Sequence, residues 1–249
     1  MVNQVMSKYS IITLDKVSST NSYALENISN LADRTVIYTP HQTSGRGRYN
    51  RVWVSDDSEN IYVSFVLKPE EIDNFPFVNL TQYLSIILCR FLENEFSLTP
   101  SIKWPNDILI DGYKISGILA ESFMQKNELK GVVLGLGLNV NLKKETIEKI
   151  DQKAVSLFTL TGCKYAPKVL LEKICNMFFK DYDAFISEGF KLIQEEYIKK
   201  CSFLGKNITI KGFDSKKEYF AEDIDENGFL ITKDNFGKKN KIITGDVLC

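Results

Sequence analysis

The sequence predicts an α+β chain in which strands and amphipathic helices interleave before a small all-β module closes the chain. Three observations carry this. The centre is strand-rich, with the apolar runs ILIDGYKISGILAES and GVVLGLGLNVN bounded by turn residues. Helical apolar spacing appears at residues 77–95 and again across 167–201. From about residue 205 the texture changes to short strands, NITIK, KEYFAEDI, GFLITKD and KIITGDV, with polar turns such as DENG.

Taken in order, TNSYALENISN (20–30) reads as a short helix entered through SSTN (18–21), whose hydroxyl and amide groups suit a cap. TVIYT (35–39) and IYVSFVL (61–67) read as strands. Between them lie about twenty residues with no periodic pattern, and loops that long in compact domains tend to be functional or disordered. Residues 77–95 form a helix that packs on the sheet. Asp111-Gly112 between apolar runs is the signal of a two-residue hairpin turn. Residues 167–201 make one or two amphipathic helices. The closing β module has too small a core to stand alone and leans on what precedes it. The expected boundaries are 1–203 and 204–249.

Bulk properties exclude several function classes. Lys plus Arg total 31 and Asp plus Glu 32, a formal net charge of −1, whereas nucleic-acid and membrane-surface binders need an excess of positive charge. Apolar runs are too short to span a bilayer, and MVNQVMSKYS lacks the apolar segment of a signal peptide. Five cysteines lie far apart with no CxxC pair, which fits reduced thiols and a cytoplasmic location. His41 is the single histidine, which argues against His-based metal or triad chemistry. An enzyme built this way runs on lysine, arginine and backbone groups.

Candidate chemistry lies at four places. In GVVLGLGLNVN, alternation puts Val132, Leu134, Leu136, Leu138 and Val140 on one face and Val133, Gly135, Gly137 and Asn139 on the other. Two glycines on one face mean a close approach to the backbone, by a packed helix or by a ligand. Lys114 follows the hairpin turn; alternation sets it with Ser116 and Ile118, opposite Ile115, Gly117 and Leu119. It is a solvated edge charge or a functional one. KWPND (103–107) brings Asn106 and Asp107 beside that hairpin, as partners of a metal-bound nucleotide or as a structural turn. The loop HQTSGRGRYNR (41–51) offers the forks of Arg46 and Arg48 to an anion, while Gly45 and Gly47 let backbone N–H groups come close.

SSTN, then QTSGRGR, then KWPND, then a lysine seven residues past its Asp in KISGIL, then GLGLNV: this series strongly resembles biotin protein ligase, over essentially the whole chain. The resemblance implies a mixed β-sheet flanked by helices, like class II aminoacyl-tRNA synthetases, followed by a small SH3-like β-barrel. It implies a ligase that forms a carbon–nitrogen bond through an acyl-adenylate: biotin and Mg-ATP give biotinyl-5′-AMP, then a lysine of a biotin carboxyl carrier domain takes the biotinyl group. Biotin is the substrate, and ATP with Mg2+ the co-substrate and metal. Carried over by position, Ser19, Thr20, Asn21 and Gln42 hold the biotin ring, and Gly45, Arg46, Gly47 and Arg48 form a loop ordered by ligand. Lys114 bridges the biotin carboxylate and the α-phosphate, and Arg48 retains the adenylate. Gly117, Gly135 and Gly137 form the floor, and Asn106 and Asn139 face the nucleotide with Arg46 and Arg48. Trp53 covers the ligand or is ordinary packing. No metal ligand is identified.

Two departures stand out. The family usually continues GRGR with Arg-Gly, where this chain has Tyr49-Asn50. Only about ten residues precede the first strand, which leaves no room for the winged helix-turn-helix of DNA-binding relatives. The resemblance leaves a homodimer open, and the competing readings are a lipoate or octanoate ligase on the same scaffold and a non-catalytic biotin sensor. The expectation is an enzyme that binds no DNA: a gel-retardation titration with a biotin-operon fragment is expected to show no specific shift, and a tight specific shift would overturn it.

Overall fold

Every residue of IYVSFVL is buried, so this strand must be covered on both faces and flanked on both edges. The computed structural model describes residues 8–56, 58–68, 77–126, 128–212 and 216–248 and shows how. Its first nine strands are β1 (Ser10–Thr13), β2 (Thr35–Thr39), β3 (Gly45–Arg46), β4 (Val52–Trp53), β5 (Ile61–Leu67), β6 (Pro100–Lys103), β7 (Asp107–Ile110), β8 (Tyr113–Gln125) and β9 (Glu128–Leu138). The helices are α1 (Thr20–Asn27), α2 (Val78–Phe96), α3 (Lys144–Ile147), α4 (Leu157–Thr161), α5 (Pro167–Lys180), α6 (Tyr182–Glu188) and α7 (Gln194–Lys200). Seven strands form one mixed sheet in the order β1-β2-β5-β9-β8-β7-β6, with β1 parallel to β2 and the other pairs antiparallel.

One face of β5 presents Val63, Phe65 and Leu67 to the main core built with α2 and α5. The other face meets α1, where Ala24 and Ile28 pack with Ile37, Val66 and Val133. Aromatic rings fasten the first layer. Phe178 stacks on Phe65 with centroids 4.7 Å apart, and Tyr83 stacks on Phe185 at 4.2 Å while its hydroxyl donates to the Phe178 carbonyl at 2.6 Å. Cys89, Cys175 and Cys201 are buried free thiols and Cys163 an exposed one; burial pushes the Cys175 thiol up to about 12. Cys249 lies outside the described residues. No described helix is long and apolar enough to cross a membrane.

The remaining strands, β10 (Asn207–Lys211), β11 (Lys216–Ile224), β12 (Leu230–Lys233), β13 (Lys239–Ile242) and β14 (Asp246–Leu248), form an antiparallel sheet in the order β13-β12-β11-β10-β14. This is the SH3-like module, and among the described residues its edge strands are not hydrogen-bonded into a closed barrel. It leans on the larger sheet through the DENG turn. Gly228, at φ +80°, offers its carbonyl to Gln82 Nε2 at 2.7 Å and to the indole N–H of buried Trp104 at 3.3 Å. Asn79 donates to the Asn227 carbonyl at 3.0 Å.

Four expectations are corrected. Residues 167–201 hold three α-helices and a 3-10 turn (Gly189–Leu192), because Asp181 leaves helical geometry and Gly189 takes φ +66°. KIITGDV is two strands, since Gly245 at φ +150° turns the chain before β14. The patternless stretch after β2 contains the β3–β4 hairpin. The fourth concerns Lys114. The β7–β8 ladder runs Ile108 to Ser116 and then Leu109 to Lys114, which leaves Ile115 unpaired as a bulge. The extra residue reverses the alternation: Ile115 and Ile118 both enter the core, and Lys114 and Gly117 share the opposite face.

Phe178→Ala is expected to lower the unfolding free energy by about 3–5 kcal/mol, by urea denaturation, because it empties the ring cluster between α5 and β5. A loss under about 1 kcal/mol would mean that contact does not fasten the layer.

Candidate active site

The face of the sheet opposite α2 carries the site, and strand register builds it. Tyr62, Gly137, Gly117 and Asp107 lie in one row across four strands, with Ser64, Gly135 and Leu119 in the next. Three glycines there expose a strip of bare backbone. Trp53 lies in it: a Cβ on Gly117 or Gly137 would come within 2.8 or 2.7 Å of the indole ring. A Cβ on Gly135 would fall 2.2 Å from Asn21 Oδ1. Of the two readings of the glycine face, the packed helix is present at Gly135, which admits the first turn of α1, while Gly137 meets the Trp53 ring.

Around this strip is a cavity of about 140 Å³. It is lined by Ser19, Thr20, Asn21, Gln42, Arg46, Gly47, Arg48, Trp53, Asn106, Lys114, Gly117, Gly135, Gly137 and Asn139, so the structure brings together every predicted site residue except Gly45. Gly45 stands behind the wall, where a Cβ would lie 2.4 Å from Gln42 Nε2 and 2.9 Å from Trp53 Cβ.

The polar end is set by the entrance to α1. Ser19 is the N-cap and accepts from the Ser22 N–H at 3.4 Å; the Thr20 N–H donates to Gln42 Oε1 at 2.9 Å. Asn21 donates to Glu121 at 2.8 Å, and Ser64 lies 2.5 Å from Asn21 Oδ1 and 2.8 Å from the Thr20 hydroxyl. At the other end, Lys114 Nζ is 2.7 Å from Asp107 Oδ1 and 5.3 Å from the Trp53 ring centroid. Its backbone is pinned from outside the sheet: the Lys114 N–H donates to the Lys153 carbonyl and its carbonyl accepts from the Val155 N–H, each at 2.9 Å. Asn139 holds the same segment through Val155, at 3.0 Å. Asn106 Nδ2 donates to the Ile118 carbonyl at 3.0 Å. Burial pushes the Tyr62 hydroxyl above its ordinary value.

The two arginines of GRGR part ways. Arg46 pairs with Glu121 at 3.1 Å, on the α1 side. Arg48 reaches the KWPND side and the small sheet, donating to Asp246 at 2.9 Å, to the Gly245 carbonyl at 3.0 Å and to Asn106 at 3.4 Å. Arg51 is ion-paired with the other oxygen of Asp246. Tyr49 adopts φ +55°, a left-handed conformation that costs a non-glycine residue roughly 1–2 kcal/mol. Its ring offsets this, lying 5.0 Å under Arg48 and 5.7 Å under Arg51, with the hydroxyl 3.4 Å from Thr244. The loop that the resemblance implies is ordered by ligand is held here by the small sheet and by Trp53.

Glu121, Ser64, Arg51 and Asp246 are site or supporting residues that the motifs do not name, while Asp107 of KWPND holds Lys114. Glu121 had a signal, because alternation counted from Gly117 puts Gly117, Leu119 and Glu121 on the site face. Asp246 had none, since it meets Arg48 across 198 positions. No described group of three His, Cys, Asp or Glu residues could hold a metal ion.

Asp246→Asn is expected to raise hydrogen exchange of amides 45–53 about tenfold, by removing one carboxylate from two guanidiniums. Unchanged exchange would mean that the small sheet does not hold the hairpin.

Comparisons with known proteins agree with this geometry. Residues 14–139 match the biotin/lipoate A/B protein ligase family. The bifunctional ligase/repressor BirA of Bacillus subtilis (strain 168) is 31% identical over 98% of this chain and 75% of its own length. The biotin–[acetyl-CoA-carboxylase] ligase of Mycobacterium tuberculosis is 31% identical over 94% of this chain and 88% of its own. Among solved structures, the biotin protein ligase of Aquifex aeolicus in complex with biotin and ATP superposes with a TM-score of 0.83, at 28% identity over 96% of this chain and 97% of that one. With the motif residues gathered on one face of the sheet and these relatives covering nearly the whole chain, the protein belongs to the biotin/lipoate A/B protein ligase family, and within it to the biotin protein ligases.

Proposed function

We propose that the chain activates biotin with ATP as biotinyl-5′-AMP and passes the biotinyl group to a lysine of a biotin carboxyl carrier domain. The observation that carries this is the division of one cavity into two ends. Neutral hydrogen-bonding groups of Ser19, Thr20, Asn21 and Gln42 gather at one end, and Lys114 and Arg48 at the other, with bare backbone and Trp53 between. That layout fits a molecule with a small polar ring at one end and a carboxylate that becomes an acyl phosphate at the other.

In the first step a biotin carboxylate oxygen attacks the α-phosphorus, the bond to the β-phosphate bridge breaks, and pyrophosphate leaves. In the second, the carrier amine attacks the acyl carbon, AMP leaves, and the amine sheds a proton. Neither step needs a protein nucleophile; both need reactants held in line and negative charge offset. Lys114 is suited to that charge because Asp107 fixes its ammonium at 2.7 Å and the 153–155 segment fixes its backbone. Arg48, already turned toward Asn106, is suited to the nucleotide side. The buried Trp53 indole N–H has no acceptor within the described residues, and a bound ligand would supply one. Asn106 and Asp107 are suited to contact Mg2+ carried on the ATP phosphates; that ion supplies charge neutralisation when bound, and such ions take one or two protein contacts.

Our reading includes a cytoplasmic location, in keeping with the free thiols, and action on the carrier without DNA. Incubation with ATP and biotin, scored by mass spectrometry for acyl-adenylate and for a labelled carrier domain, is expected to give both products, and none with lipoate in place of biotin. Adenylate from lipoate alone would replace this reading. Lys114→Ala is expected to slow single-turnover adenylate formation by about 100-fold or more, and an unchanged rate would remove Lys114 from the mechanism.

A further inference from the structure

We propose that Glu121 is a positioning residue that sets the hydrogen-bond polarity at the ring end of the cavity, so that Thr20 offers the ligand ring an acceptor. The inference rests on the biotin reading above and deepens it. Glu121 sits on β8 two residues beyond Leu119, on the site face, and its carboxylate can only accept. It takes Arg46 on both oxygens, at 3.1 and 3.2 Å, and the Asn21 amide at 2.8 Å.

The Asn21 side chain has two ends, and an acceptor-only neighbour decides which one turns toward it. With Glu121 Oε2 at 2.8 Å and the Leu119 carbonyl at 3.3 Å, the end facing β8 is the NH2. Its oxygen therefore faces Ser64, 2.5 Å away. Ser64 has a single hydroxyl proton and two partners, Asn21 Oδ1 and the Thr20 hydroxyl at 2.8 Å. An amide oxygen cannot donate, so the Ser64 proton goes to Asn21, and the Thr20 proton is left to its own two acceptors, the Ser64 oxygen at 2.8 Å and Gln42 Oε1. Gln42 Oε1, 3.5 Å from the Thr20 hydroxyl, is the poorer alternative and already accepts the Thr20 N–H. Thr20 lines the cavity with its proton spent, so it presents lone pairs only. A cyclic urea carries N–H groups on its ring, and a lone-pair donor there selects for them and against a ring oxygen.

The relay is enclosed. Asn21 is 5% and Ser64 0% exposed, and Gly135 has no side chain to keep the Asn21 amide out. Oε2 already accepts from both Arg46 and Asn21, so glutamine at 121 removes the charge and puts an NH2 group against the Arg46 guanidinium where Oε1 now accepts, which weakens the hold on the Asn21 amide.

The test is calorimetric binding to the full chain of biotin and of its two cyclic-carbamate analogues, each with one ring N–H replaced by oxygen. The parent is expected to bind biotin and to reject one analogue by at least about tenfold. Glu121→Gln is expected to weaken biotin about tenfold, and both Glu121→Gln and Ser64→Ala to narrow the discrimination between biotin and that analogue. A merely structural role would weaken both ligands alike, so an unchanged ratio in both variants overturns the proposal even where affinity falls. A parent that binds no biotin at all overturns the site reading itself, and the relay with it. Both substitutions are near-isosteric, and a ratio is a property of folded molecules alone.

Discussion

The bare backbone along Gly117, Gly135 and Gly137 is the constraint on which the site depends. Strands do not give up side chains without cost, since each glycine loses more conformational freedom on folding than any other residue. Here the central strands are locked on both edges and on the core face, so the weakness is tolerated. What the strip gains is depth: an aromatic ring and a helix entrance come to within contact of the backbone, where any Cβ would collide. The polar groups of α1, the ammonium of Lys114 and the guanidinium of Arg48 are then separated by a flat apolar span instead of by a packed surface.

Charge is handled economically around that span. Each cationic side chain is held by one carboxylate, Lys114 by Asp107 and Arg46 by Glu121, while Arg48 and Arg51 share Asp246. Burying an unpaired cation is costly, so the carboxylates matter most for Lys114 and Arg48, the two cations largely shielded from solvent. The same pairs fix orientation. Lys114 points along the strip and not out of it, because a bulge at Ile115 turned its side chain to the face of Gly117.

Local pattern made much of this legible. The strands at 35–39 and 61–67 and the helices near 20–30 and 77–95 follow from periodicity and capping groups, and they form close to those bounds. The Asp111-Gly112 turn takes left-handed geometry at both positions, as its composition demands. The failures share a physical cause. Lys114 was assigned to the wrong face because an unpaired residue shifts the phase of a strand without any mark in composition. The hairpin at 45–53 looked unsupported because its supports, Trp53 on distant glycines and Asp246 at the far end of the chain, are tertiary. Glu121 shares the face of Gly117 and Leu119 by plain alternation and went unnamed because no motif includes it.

The anchorage of the hairpin also orders events in time. Arg48 and Asp246 are 198 positions apart, and a chain is made and folds from its N-terminus. The large sheet, with Lys114 and the glycine strip, can assemble while the hairpin still lacks its counter-charge. Only when β14 emerges and docks does the lip of the cavity gain its hold, so this wall of the site is the last to be completed.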